Sequence, residues 1–244
     1  IPMNFLSEGK TASYVQTGAW SEKAFKEAKF FGTPVEAAST KENKYKNIPS
    51  QEDIKFNADD AYVHITSNNT IFGTQWKVFP DTGDVPLVAD MSSDILSKPV
   101  DVSKFGIIYA GAQKNLGPSG VTVVIIRKDL LEKANTNIPT MLKYTTHAAN
   151  DSLYNTPPTF GIYMLGEVLK WVEAQGGLEK VAQNNEEKAA LIYDVIDASN
   201  GFYYGHAEEG SRSLMNITFR VADEELEKKF LAEAKEAGFV GLNG

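Results

Sequence analysis

The chain has 244 residues, of which 42% are hydrophobic, so it can bury a substantial core and is near the length at which one core divides into two domains. Its formal net charge of −8 argues against a nucleic-acid surface, because phosphate backbones attract clustered lysine and arginine. It contains no cysteine, which excludes disulfides and cysteine-bound zinc and fits a cytoplasmic protein. No apolar run reaches the roughly 18 residues of a membrane span, so we expect no membrane partner.

Short apolar runs and amphipathic segments alternate along the chain. The predicted strands span 35–38, 62–66, 86–90, 105–110, 121–127 and 214–221. The predicted helices span 21–31, 159–174, 178–198 and 223–236. This alternation is typical of an α/β fold with a mostly parallel central sheet and helices on both faces. We place a domain boundary near Gly177, between the two long helices.

One lysine, Lys114, lies in a turn bounded by Gly111 and Gly117, between two of the predicted strands. We expect the end of a buried strand to desolvate its ammonium in part, which favours the neutral amine. A neutral amine can form a Schiff base with an aldehyde, so Lys114 is a candidate catalytic residue. A solvated surface lysine is the alternative, and it is the usual state of this residue type.

A second candidate, Asp90, ends the preceding predicted strand. One crossover connection separates Asp90 from the strand before Lys114, so both side chains are expected at the same carboxyl edge of a parallel sheet. Pyridoxal phosphate (PLP) needs such a pair, a lysine for its aldehyde and an acid for its protonated ring nitrogen. The alternative for Asp90 is a turn or N-cap residue before Ser92.

The histidines His64, His147 and His206 are far apart in the sequence and lack the spacing of a zinc motif, so we expect no metal site. No G-x-G-x-x-G motif is present, which removes the usual dinucleotide fingerprint. These exclusions leave the lysine and aspartate pair as the main chemical signal.

Three sequence runs carry a more specific signal. They read Val-Ala-Asp-Met-Ser-Ser-Asp at 88–94, Ala-Gly-Ala-Gln-Lys-Asn-Leu-Gly-Pro at 110–118 and Leu-Tyr-Asn-Thr-Pro-Pro at 153–158. They closely resemble the phosphoserine aminotransferases, a class V group of fold-type I PLP enzymes. The resemblance extends from residues 1–5 to residues 238–244 and so covers the whole chain.

The resemblance implies a PLP-binding large domain at 1–177 that lacks its N-terminal part, and part of a small α+β domain at 178–244. In the family, the substrate is held by His-Arg and Arg residues that lie before and after the stretch matched here. None of the arginines in this chain matches those positions. We therefore expect a chain truncated at both ends.

The resemblance also implies roles for single residues. Lys114 would bind PLP covalently, and Asp90 would pair with the ring nitrogen. Trp20 would stack on the ring, Thr70 would hydrogen-bond the ring hydroxyl, and Gln113 would lie at the phosphate. Without the resemblance, Trp20 is a core or interface aromatic and Thr70 is a turn residue.

Asn155 and Thr156 resemble the pair that the family sends to the phosphate of the neighbouring subunit. The resemblance thus implies a homodimer with shared active sites. A pre-proline turn before the next helix is equally compatible with these two residues.

The reaction implied is transamination between glutamate and 3-phosphohydroxypyruvate, giving 2-oxoglutarate and phosphoserine in serine biosynthesis. The free amine of Lys114 would move the proton of the substrate α-carbon. The alternatives are another class V aminotransferase, a desulfurase-like relative, or a non-catalytic fragment that acts as a binding module.

Overall fold

The computed structural model describes residues 1–242, in which it has ten strands and seven α-helices. The strands are β1 (Thr11–Gln16), β2 (Thr33–Ser39), β3 (Val63–Thr66), β4 (Asn68–Asn69), β5 (Thr74–Gln75), β6 (Leu87–Asp90), β7 (Ile107–Gly111), β8 (Thr122–Ile126), β9 (Tyr203–Gly205) and β10 (Phe219–Val221). The helices are α1 (Pro2–Phe5), α2 (Ala19–Ala28), α3 (Lys128–Glu132), α4 (Tyr144–Ala149), α5 (Thr159–Ala174), α6 (Gly177–Ala198) and α7 (Glu224–Glu236).

A six-stranded sheet of order β2-β1-β3-β6-β7-β8 forms the centre of the fold. Neighbouring strands from β2 to β7 are parallel, whereas β8 runs antiparallel to β7 because the chain turns straight back between them. Parallel strands end at the same edge, so the residues that follow β1, β3, β6 and β7 meet there. The prediction of an α/β fold with a mostly parallel sheet is confirmed.

Each face of this sheet packs an apolar cluster. One face buries Val88 and Ile107 under α2 and α3. The other face buries Ile65 and Leu87 under the irregular segments that follow β2 and β5. Burial of each such side chain contributes about 1.5–3 kcal/mol, and this packing holds the strand ends in place.

The predicted elements omit β1, an almost entirely buried strand that pairs with β2 on one side and β3 on the other. Its polar residues hide the apolar pattern that strand prediction relies on. Thr11 Oγ1 and Ser13 Oγ donate to the buried Asp60 carboxylate at 2.5 and 2.6 Å, so the polar side chains are satisfied inside the core.

The strand predicted at 214–221 is wrong over its first half, since β10 begins only at Phe219. Ser213 Oγ accepts hydrogen bonds from the backbone N–H groups of Met215 and Asn216, both at 3.0 Å, and this bends the chain into a turn. The helix predicted at 159–174 is confirmed as α5.

After α5, helix α6 packs on a separate antiparallel ribbon of β9 and β10 through Ala189, Tyr193 and Ile196. The boundary near Gly177 stays a prediction, and the last two residues of the predicted small domain lie outside the described residues. None of the helices formed by residues 1–242 is long and apolar enough to cross a membrane.

Candidate active site

Side chains from several strand ends meet in one cleft at the carboxyl edge of the sheet. The cleft has a volume of about 210 Å³. Its lining residues are Trp20, Thr66, Asn68, Thr70, Asp90, Ser92, Ser93, Gln113 and Lys114. Five residues singled out from the sequence therefore share one cleft: Trp20, Thr70, Asp90, Gln113 and Lys114.

Lys114 extends from the turn after β7 into this cleft. Its Nζ donates to Thr70 Oγ1 at 2.8 Å and lies 5.4 Å from the ring centroid of Trp20. The Lys114 side chain is exposed, so the expected partial desolvation is wrong for this chain. The amine reaches past the buried strand end into the open cleft, where it is accessible to an aldehyde.

Asp90 is half-buried and lines the cleft. Its Oδ1 accepts hydrogen bonds from the Ser92 backbone N–H at 2.9 Å and from Ser92 Oγ at 2.6 Å. Ser92 Oγ in turn accepts the Gly111 N–H at 3.1 Å, which ties the end of β6 to the end of β7. Asp90 therefore occupies the turn position that the sequence offered as an alternative, and it also faces the cleft.

Trp20 is placed by the first turn of α2. Ser21 Oγ accepts the backbone N–H groups of Thr17 and Gly18 at 2.9 and 3.0 Å and donates to the Gly18 carbonyl at 2.8 Å. A Cβ at Gly18 would lie 2.7 Å from Asn69 Oδ1, so this close approach requires glycine. Trp20 is left 41% exposed beside the cleft, where an aromatic ring can stack on a planar ligand.

The segment 68–70, which carries Thr70, is held in place by the buried polar contacts of Asn68. Asn68 Nδ2 donates to Ser93 Oγ at 2.8 Å and to Asn216 Oδ1 at 2.7 Å, and Asn68 Oδ1 accepts from Ser213 Oγ. Sequence reasoning missed Asn68 as a cleft residue, although the polar run directly after a buried strand is a signal that could have found it.

Asp94 is a further buried carboxyl group near the cleft residue Ser93, and burial raises its pKa. Its carboxylate accepts hydrogen bonds from Ser67 and, at 3.1 Å, from Gln75 Nε2. These contacts join the segment after β3 to the segment after β6.

Within residues 1–242, no cluster of three or more His, Asp or Glu side chains is arranged to hold a metal ion.

Asn155 and Thr156 lie outside this cleft, in the exposed loop between α4 and α5. They do not line the cleft of their own chain. Their proposed contact with a neighbouring subunit stays a prediction.

A lysine, a carboxylate and an exposed aromatic ring at this edge of a parallel sheet are the residue types that a PLP enzyme needs. Residues 1–239 match the sequence profile of the class-V aminotransferases, and the chain belongs to that family. The resemblance seen in the sequence is confirmed.

Within the family, this chain is similar in sequence to several phosphoserine aminotransferases. That of Lysinibacillus sphaericus is 80% identical over 244 residues, which cover 100% of this chain and 67% of the relative. The crystallised phosphoserine aminotransferase from Bacillus circulans subsp. alkalophilus is 60% identical with a TM-score of 0.97, covering 100% of this chain and 67% of that one. The PLP-bound phosphoserine aminotransferase from Trichomonas vaginalis is 36% identical with a TM-score of 0.91, covering 100% and 70%. The chain thus spans about two thirds of the length of these proteins.

Proposed function

We propose that this chain forms the cofactor cleft of a PLP-dependent aminotransferase that makes phosphoserine. Glutamate is the proposed amino donor and 3-phosphohydroxypyruvate the acceptor, with 2-oxoglutarate as the second product, in serine biosynthesis. The observation that carries the proposal is the convergence of Lys114, Asp90 and Trp20 in one cleft. The 80% identical phosphoserine aminotransferase supports the choice of substrates.

The donor set of the cleft fits PLP. When bound, PLP supplies an aldehyde for covalent attachment and a ring that accepts the charge developing at the substrate α-carbon. Lys114 would hold the aldehyde carbon, and Asp90 would accept a hydrogen bond from the ring nitrogen. Trp20 would stack on the ring face, and Thr70 would bind the ring hydroxyl. Gln113, which is exposed beside Lys114, would bind the phosphate.

Lys114 would have a second role, as an acid and base, whenever its amine is not bound to the cofactor. The free amine is oriented by Thr70, whose Oγ1 accepts from Nζ at 2.8 Å in the structure. From that position the amine would act as the base that takes the proton of the substrate α-carbon and as the acid that later gives it back. Ser92 keeps the Asp90 carboxylate in one orientation during both steps.

A homodimer is part of the proposal, because Asn155 and Thr156 are exposed and do not line the cleft that holds Lys114. In the dimer they would bind the phosphate in the cleft of the partner subunit. The cytoplasm, where amino acids are synthesised, is the proposed location.

The test is spectroscopic. The full natural chain is incubated with PLP, and its visible absorbance is followed during each half-reaction. We expect a band from covalent attachment that glutamate bleaches and 3-phosphohydroxypyruvate restores. Lys114→Ala should abolish the band, because no other amine takes its place.

Lys23→Ala is the matched control. Lys23 Nζ also lies against the Trp20 ring, 4.4 Å from its centroid, but Lys23 does not line the cleft. We expect the Lys23→Ala protein to keep both the band and the activity. A band that survives Lys114→Ala would refute the assignment. Restoration by other keto acids, but not by 3-phosphohydroxypyruvate, would indicate another class V enzyme, and a colourless natural chain would indicate a binding module.

A further inference from the structure

A buried histidine and a partly buried tyrosine lie on the strands that flank Asp90. His64 on β3, Asp90 on β6 and Tyr109 on β7 belong to three adjacent parallel strands. In the register, His64 lies beside Val88, and Tyr109 lies beside Asp90. Side chains two residues apart on a strand share a face, so all three groups project to the same side of the sheet. His64 therefore reaches Tyr109 across β6, on the face of the sheet from which Asp90 also projects.

His64 is held tightly in this position. Its side chain is 2% exposed, and its ring stacks on Tyr14 with centroids 4.9 Å apart. His64 Nε2 lies 2.9 Å from the Tyr109 hydroxyl oxygen, a hydrogen bond in which the tautomer decides the direction. His64 Nδ1 has no hydrogen-bond partner within residues 1–242. Burial lowers the pKa of His64 to about 4, so the ring is neutral near neutral pH.

The unpaired Nδ1 decides where the single ring proton lies. A proton on Nδ1 would create a buried N–H without an acceptor, which is rare in proteins and costly. A proton on Nε2 is donated to the Tyr109 oxygen and leaves Nδ1 as an unprotonated acceptor. The Tyr109 hydroxyl hydrogen is then free to point toward Asp90.

The Tyr109 hydroxyl keeps its proton at neutral pH and can therefore donate a hydrogen bond. Burial, and next the negative charge of Asp90, raise the pKa of Tyr109 well above its usual value. Asp90 Oδ1 already accepts two hydrogen bonds from Ser92. The Tyr109 hydroxyl on β7 would therefore donate to the Asp90 oxygen that accepts no hydrogen bond from Ser92.

We propose that His64 and Tyr109 are positioning residues for Asp90. They form a donor chain, from His64 Nε2–H to the Tyr109 hydroxyl to the Asp90 carboxylate, that would hold the carboxylate toward the ring nitrogen of PLP. Ser92 fixes the carboxylate from within its own turn, and the donor chain fixes it from the neighbouring strands. The inference rests on the proposed function, because it assigns Asp90 to the ring nitrogen.

The experiment compares two ligands for the apoprotein of the full natural chain. One is PLP, and the other is the analogue in which C–H replaces the ring nitrogen. The ratio of their dissociation constants measures the interaction with the nitrogen, whereas the contacts to the phosphate and ring hydroxyl cancel. The natural protein should prefer PLP, and Asp90→Ala should remove the preference.

Tyr109→Phe keeps the ring and removes the hydroxyl. Loss of one hydrogen bond to a carboxylate should lower the preference for PLP by about three- to tenfold, with little change in the affinity for the analogue. His64→Leu should lower the preference in the same direction. His64→Gln should restore it, because the side-chain amide places an N–H donor near the position of Nε2.

Tyr62→Phe is the matched control, since its hydroxyl lies 2.6 Å from that of Tyr14 in the same buried cluster and pairs with Tyr14 rather than with Asp90. We expect it to leave the preference unchanged. The inference is overturned if Tyr109→Phe weakens both ligands equally or leaves the ratio intact, or if His64→Gln behaves like His64→Leu. Should Tyr109→Phe fail to fold, the comparison of the two His64 variants decides. A natural protein that binds neither ligand overturns the proposed function and the inference together, whereas an intact preference that no His64 or Tyr109 variant changes overturns the inference alone.

Discussion

Replacement of Ser21 by alanine tests how the start of α2 places Trp20. Ser21 is fully buried, and its Oγ makes three hydrogen bonds with the backbone of Thr17 and Gly18. In Ser21→Ala, two buried N–H groups lose their acceptor. An unsatisfied buried donor costs about 1–3 kcal/mol, so we expect the free energy of unfolding to fall by about 2–4 kcal/mol. That is a large fraction of the stability of a typical domain.

The measurement is urea unfolding of the Ser21→Ala and natural proteins, followed by circular dichroism. A lower midpoint with an unchanged slope would show a change in stability rather than in the denatured state. Ser103→Ala is the control, because Ser103 Oγ bonds Asp101 at an exposed turn. A loss in Ser21→Ala no larger than that in Ser103→Ala would contradict the reasoning. PLP affinity should fall as well, since Trp20 loses its fixed position.

Three further predictions concern the residues around the cleft. Gly18→Ala should destabilise the protein by about 1–3 kcal/mol, because its Cβ would lie 2.7 Å from the Oδ1 of the buried Asn69; thermal unfolding would measure this, and an unchanged midpoint would contradict it. Asn68→Ala should cost about 2–4 kcal/mol by leaving its polar partners unpaired, whereas Asn43→Ala, at an exposed hydrogen-bonded site, should cost less than about 0.5 kcal/mol; urea unfolding of both variants decides. Burial lowers the pKa of His64 from 6.5 to about 4, so the unfolded chain binds the proton more readily. This contribution to stability is complete above pH 6.5 and is lost as the pH falls toward 4. Unfolding measured across that range should show a smaller pH dependence in His64→Gln, and an identical dependence would refute the assignment.

Much of the fold and part of the cleft could be predicted from the sequence because the signals are local. The strand that ends at Asp90 and the turn that holds Lys114 follow from short apolar runs bounded by polar and glycine residues. Helix α5 matches its predicted span, since its apolar periodicity and its boundaries lie within one stretch of chain. The family motifs around these residues are likewise contiguous.

The same local rules fail where long-range contacts decide the outcome. The apolar spacing of residues 178–198 favours an inward face that contains Ala189, Ile192 and Val195. Ile192 and Val195 are nevertheless exposed, and Ile196 packs inward with Ala189. The helical periodicity identifies a face only to within one residue position. Packing against the ribbon of β9 and β10 selected the rotation of α6.

The sequence by itself determined which residues lie at the ends of β6 and β7, because that depends on neighbouring residues in the chain. Only the tertiary structure decided that Lys114 is solvent-exposed and that Asn68 bonds Asn216, 148 residues away. Strand order and register brought His64 and Tyr109 together across β6. Contacts of this kind form only when the whole sheet has assembled, so no short stretch of sequence encodes them.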